Sequence, residues 1–182
     1  AYLLPMVLSG FGSLYPRISL EVCCELSVDL LRLLSDGEMD MAVTTRQPQS
    51  PGGEVIRREQ LVWAEADGCR VHDEDPLPLA LFPDGLCVFR ESAIQALQAA
   101  GRSWRLVCTS RGFAGIRAVV ASGMAVTVVT ENTVSPNMRI IKPAESLPPL
   151  PGVDISLHVS ASPANEAVTV FADYIRQSLK NG

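Results

Sequence analysis

A chain of 182 residues, 47% of them hydrophobic, can fill a core of its own, either as one compact domain or as two small lobes. A formal charge of −5, with 15 lysines and arginines scattered along the sequence, disfavours direct nucleic-acid binding, which needs a concentrated basic surface. Five cysteines without a CxxC spacing, and two histidines far apart in sequence, exclude a disulfide framework and a zinc site, leaving buried thiols of a reducing cytosol as the expectation.

In chain order, Tyr2 to Leu14 spaces Leu3, Leu4, Val7, Leu8 and Phe11 as an amphipathic helix, with Pro5 tolerable in its first turn. Ile18, Leu20, Val22 and Cys24 then alternate with polar neighbours and predict a strand. Ser27 is placed to cap a second helix through Leu30, Leu31 and Leu34, which Gly37 ends, and Met39 to Thr44 is strand-like. Helix, strand, helix and strand with short joints indicate α/β architecture with a parallel sheet. A doubly wound lobe normally begins with a strand, so a first strand is expected to be missing ahead of the opening helix.

Arg46 to Gly53 reads as a loop, Leu61 to Glu65 as a short apolar strand and Asp67 to Asp75 as a polar crossing into a second lobe. There Leu77 to Leu81 is a strand, Pro83-Asp84-Gly85 a turn, and Leu86 to Ala100 a helix stopped by Gly101. Trp104 to Cys108 is the next strand, Ser110 precedes a helix ending at Gly123, and Met124 to Val129 is a buried strand, completing a βαβαβ unit. Met138 to Ile141 is a short strand, and the proline-rich stretch from Lys142 to Gly152 a stiff connection. Val153 to Ser160 alternates as a strand, and Ser162-Pro163 opens a final helix with the stripe Val168, Phe171, Ile175 and Leu179. The expected lobes are therefore 1–66 with 152–182, and 67–151. No run reaches the roughly 18 to 20 apolar residues of a membrane span and no secretory leader is visible, so a cytoplasmic location is expected.

Catalytic signatures are absent: there is no GxSxG, no P-loop and no GxGxxG. His158, alone on its strand, reads as structural, and Glu38 and Asp40 as a solvated turn. Strand-to-helix junctions carry more information, because helix N-termini hold unsatisfied N–H groups that attract anions, and ligands of open α/β sheets bind beyond the carboxyl ends of strands. Ser27 marks one such junction and Thr109-Ser110-Arg111-Gly112 the other, with helix capping as the plain alternative. Arg111 hints at an anionic ligand; Arg90 is a second candidate for lining the cleft, although the exposed face of its helix is the favoured place for it.

The ordered motifs resemble the LysR-type transcriptional regulators. "YLLPMVLSGFGSLYPRISLEV" (Tyr2 to Val22) is similar to the family's Leu-Leu-Pro helix, Tyr-Pro and strand. "ELSVDLLRLLSDGEMDMAVTT" (Glu25 to Thr45) resembles its Ser-x-x-Leu helix with Gly-x-x-Asp-hydrophobic. "FPDGLCVFRESAIQALQAAGRSWRLVCTS" (Phe82 to Ser110) and "AVVASGMAVTVV" (Ala118 to Val129) resemble a subgroup pattern, although Ala125 and Thr130 stand where the family often has Gly and Pro. The resemblance implies two Rossmann-like lobes joined by two crossing strands, as in type 2 periplasmic binding proteins. It also implies a small-molecule effector in the cleft, a homodimer or higher oligomer, and DNA binding only through an absent N-terminal winged helix-turn-helix. Family pockets draw on positions corresponding to Ser27 and to Ser110–Phe113; with the strand ends, the candidate effector-binding set is Ser27, Phe82, Thr109, Ser110, Arg111, Gly112, Phe113 and Thr127. No cofactor or catalytic residue is expected. The alternatives are a transporter's solute-binding protein and, less favoured, an enzyme on the same scaffold.

Overall fold

The computed structural model describes residues 4–48, 52–142, 147–160 and 165–180. In chain order these form α1 (Leu4–Leu14), α2 (Ser27–Ser35), β1 (Met41–Thr45), β2 (Glu54–Ala66), β3 (Leu77–Leu81), α3 (Val88–Ala99), β4 (Trp104–Thr109), α4 (Phe113–Ala121), β5 (Thr127–Thr130), β6 (Met138–Ile140), β7 (Gly152–Val159) and α5 (Glu166–Lys180), with single 3₁₀ turns at Val71–Asp73 and Glu131–Thr133. The chain divides into two compact units, residues 1–58 with 154–182, and residues 59–153.

In the first unit β1 runs antiparallel to β7, in the register Met41↔Val159 to Thr45↔Ile155. One sheet face packs on α1 and α5 through Val7, Ile56, Leu157, Ala172, Ile175 and Leu179. The two helices approach closely at Gly10, where a β-carbon would collide with the Tyr174 hydroxyl and force that ring to shift. Next to it the buried Phe11 ring contacts Tyr15, Phe171 and Tyr174 at centroid distances of 4.7, 4.5 and 5.4 Å. Gly37 ends α2 as expected: at φ +75° its N–H bonds to the Leu34 carbonyl, and that of Glu38 reaches back to Leu33.

The second unit is the βαβαβ arrangement read from the sequence. β3 pairs in parallel with β4, from Leu77↔Trp104 to Leu81↔Thr109, and meets β5 through a parallel bridge between Leu79 and Val126. The carboxyl end of β2 lies antiparallel to both β5 and β6. One core gathers Leu61, Trp63, Leu77, Leu79, Leu81, Leu97 and Val128, and another packs Ile116 and Val120 of α4 on Ala64, Ala80 and Val129. At the far end of β2, the fully buried Glu65 accepts hydrogen bonds from the His72 backbone (3.1 Å), His72 Nδ1 (2.8 Å) and Arg139, fixing the Val71–Asp73 turn to the sheet.

Several expectations are corrected. Residues 18–24 belong to no strand: no described strand pairs with them, and Val22, Cys23 and Cys24 are exposed. β2 is not a short segment over Leu61 to Glu65 but 13 residues long. Its charged first half is held by tertiary partners, Arg58 facing Asp154 and Glu59 facing Asn132. Because the end of β2 pairs with β5 and β6, residues 59–66 fall in the second unit and not with the first lobe. The last β5-region strand begins at Thr127, three residues later than the apolar run suggests. No cysteine is buried: Cys23 and Cys24 are exposed, and Cys69, Cys87 and Cys108 half-buried. Tyr2 and the Ser162-Pro163 cap lie outside the described residues; Asn165 Oδ1 accepts the Ala167 N–H at the start of α5 (3.0 Å).

Candidate functional site

Because β3, β4 and β5 are parallel, their carboxyl ends lie on one edge of the second unit, and the loops leaving them hold most of the predicted residues. Ser110 follows β4, and its N–H bonds to the Leu81 carbonyl at 3.2 Å, which sets the loop 109–113 beside the loop that begins at Phe82. The Ser110 hydroxyl donates to the Gly112 carbonyl (2.8 Å) and accepts from the Gly112 N–H (3.2 Å). It therefore shapes the loop itself; the residue capping α4 is Gly112. A β-carbon on Gly115 would lie 2.6 Å from Ser110 Oγ, so the first turn of α4 supports the loop closely. Thr109, Arg111 and Gly112 are exposed, and Phe113 turns partly into the α4 core.

Phe82 stacks edge-on against Phe89 at 6.3 Å. Next to Phe89 in α3 is Arg90, which the structure moves from the expected exposed helix face to a side chain only 13% exposed. Its Nη1 donates to the Phe82 carbonyl (3.0 Å), and its Nε stands 3.2 Å from Asp84 Oδ1. The correction follows from position: as the third residue of α3, Arg90 folds back over the turn leaving β3. At the end of β5, Thr133 Oγ1 donates to the Thr130 carbonyl (2.8 Å) and Asn132 donates to the buried Glu59 (2.7 Å). Glu59 and Asn132 are missed by sequence reasoning, which also prefers the exposed helix face to the cleft for Arg90; the one available signal there is an arginine in the first turn of a helix behind a strand-ending turn.

Two predicted residues lie elsewhere. Thr127 sits inside the sheet, 1% exposed, opposite Ala64. Ser27 belongs to the first unit and is the first helical residue of α2, with Leu26 as cap, so it is not the cap expected. Its oxygen instead accepts the Thr45 N–H at 3.1 Å, tying α2 to the carboxyl end of β1 and leaving the hydroxyl proton to donate. His158 is half-buried, bonded through Nε2 to Thr44 Oγ1 (3.1 Å) and stacked over Gly53; burial first, then the Arg46 charge, lower its pKa from the ordinary 6.5. A surface groove of about 420 Å³ along α4 is lined mostly by small side chains, with Arg117 its one titratable group. This edge thus brings together Phe82, whose carbonyl holds Arg90 and whose ring meets Phe89, and the loop Thr109–Phe113.

The sequence profile described as the LysR substrate binding domain matches residues 1–180. The chain belongs to this family. It is 36% identical over 177 residues to the HTH-type transcriptional regulator DgdR of Burkholderia cepacia, covering 97% of this chain and 60% of that protein. It is 26% identical over 149 residues to the regulator PecT of Dickeya dadantii, covering 82% of this chain and 47% of PecT. The chain thus spans less than two thirds of either regulator. Among solved structures it is similar to the Synechocystis PCC6803 CcmR regulatory domain in complex with 2-PG, at a TM-score of 0.77 and 15% identity over 99% of this chain and 92% of that one. The fold is the type 2 periplasmic-binding-protein-like α/β fold of LysR effector-binding domains. Among the described residues, no helix is long and apolar enough to cross a membrane.

Proposed function

We propose that this LysR effector-binding domain senses a small molecule at the carboxyl edge of its second unit and reports to a DNA-binding domain carried elsewhere on the parent polypeptide. The observation that carries the reading is the family match over residues 1–180, joined to an edge where Phe82 and Thr109–Phe113 offer hydrogen-bonding and aromatic groups around Arg90. Ser27, in the first unit, stays a candidate effector-binding residue through the hydroxyl proton it has left to donate. The domain acts in the cytoplasm as a homodimer or higher oligomer, without cofactor and without catalysis of its own. The net charge of −5 leaves DNA contacts to the other domain. A ligand that shifts the population of two conformers biases that domain in turn. The 2-PG in the CcmR complex supports a small-molecule ligand as the class.

A thermal-shift screen of metabolites tests the proposal. At a hundredfold excess over its dissociation constant a true ligand adds about 2.7 kcal/mol, which for a chain of this size raises Tm by roughly 5–10 °C. Hydrogen exchange with that ligand should then slow at 82–84 and 109–113. Protection confined to other segments would move the site away from this edge.

A further inference from the structure

Arg90 is a cation whose surroundings do not complete its pairing. Its side chain is 13% exposed, yet the carboxylate beside it, Asp84, is 88% exposed and stands on a turn. Nη1 has a well-formed hydrogen bond to the Phe82 carbonyl, a neutral acceptor. Nε lies within 3.2 Å of Asp84 Oδ1 but off the angle of a hydrogen bond, so this buried N–H has no hydrogen-bond partner. Burying a guanidinium is costly unless its charge and its donors are both met. A solvated side chain at the wrong angle meets neither well.

We infer that Arg90 takes up a carboxylate of the effector, and that Asp84 holds that place in the ligand-free protein and yields it on binding. The inference rests on the reading that the carboxyl edge of the second unit receives the ligand. Three observations support it. A carboxylate oxygen already fits 3.2 Å from Nε, so the local space accepts this group. An untethered carboxylate can turn into the guanidinium plane and accept two parallel N–H groups, which Asp84 on its turn does not do. The cation lies at the end of β3, bonded to Phe82, where ligands of parallel sheets bind. A single guanidinium fork matches the two oxygens of a carboxylate; a phosphate dianion calls for further cations. An ion pair as solvated as Arg90–Asp84 is worth a factor of about five at most, so displacing Asp84 costs an incoming anion little.

The test follows the Arg90 Nε–Hε resonance of the 182-residue chain, assigned by its loss in Arg90→Lys. Sodium acetate and inorganic phosphate are the two probes, each exchanged against chloride at constant ionic strength. Acetate should move the resonance to a plateau with a dissociation constant on the order of millimolar, as befits four heavy atoms. In Asp84→Asn saturation should come at concentrations up to about fivefold lower. Backbone amides of Gly85 and Phe89 should show the same curve in the wild type and lose it in Arg90→Lys, whose fold is checked by its remaining amide spectrum. Linear drift with acetate, an unchanged curve in Arg90→Lys, or weaker binding in Asp84→Asn would overturn the role of Arg90. Saturation by phosphate with none by acetate would overturn the carboxylate class. A metabolite that protects residues 109–113 from exchange while leaving the Arg90 signal in place would refute this inference alone and keep the edge as the ligand site.

Discussion

The Ser110 loop can be tested through the residue beneath it. Gly115 is the third residue of α4, and an alanine there would set its β-carbon 2.6 Å from Ser110 Oγ and 3.1 Å from Ser110 Cβ. Two effects oppose each other. Alanine in place of glycine favours a helix by up to about 1 kcal/mol. The collision drives the hydroxyl off Gly112, and losing its two hydrogen bonds costs about 1–2 kcal/mol together. Gly115→Ala in the wild type should therefore be neutral or destabilising by up to about 2 kcal/mol. Ser110→Ala alone should lose the same 1–2 kcal/mol, and in that background Gly115→Ala should stabilise by up to about 1 kcal/mol, because the oxygen it strikes is gone. Urea denaturation of the four proteins gives the coupling directly, expected at about 1–2 kcal/mol. Additivity within ~0.3–0.5 kcal/mol would show that the Ser110–Gly112 bonds do not hold the loop.

Two further outcomes follow from buried and half-buried groups. Glu65→Ala removes the common acceptor of His72 and Arg139 inside the second unit, and breaking such a pair costs about 3–5 kcal/mol. Calorimetry should record a Tm lower by roughly 6–20 °C, and a loss below about 1 kcal/mol would mean that the cluster is dispensable. His158 has a folded-state pKa below its ordinary 6.5, so the unfolded chain takes up the proton first as pH falls. Its contribution is present above about pH 6.5 and is lost as pH drops through the folded value; His158→Gln should flatten urea stability between about pH 7 and 5, and an unchanged slope would assign it to other groups.

Those parts of the fold that were legible in the sequence are the ones written locally. Gly37, Gly101 and Gly123 stand at helix ends with φ of +75°, +63° and +75°, where a side chain would be strained, and the helix stripes of α1 and α5 repeat at the helical period. The strand expected at Ile18–Cys24 does not form. Alternation reports which faces differ in polarity, but a strand exists only when a neighbour supplies its ladder, and no described segment does so here. Charged runs hide a strand in the opposite way: Arg57, Arg58, Glu59 and Gln60 show no alternation that assigns them to an element, and the Asn132 that meets Glu59 lies 73 residues away.

Site residues obey the same division. The junction at Thr109–Phe113 could be found because its strand, hydroxyl, glycine and helix follow one another in sequence. Arg90 reads only as a second choice for the cleft, since the carbonyl that fixes it belongs to Phe82 and the carboxylate facing it to a turn, and a helix wheel cannot foresee a guanidinium folded back across the helix start. Recognition gains from that arrangement. A loop such as 109–113 can adapt to many ligands, whereas a cation held in place by a backbone carbonyl presents its remaining donors in one direction and loses little side-chain entropy when an anion arrives. On the proposal that this edge receives the effector, selectivity should therefore reside more in Arg90 and the Phe82–Phe89 pair than in the hydroxyl of Ser110, which Gly112 already engages on both its donor and its acceptor side.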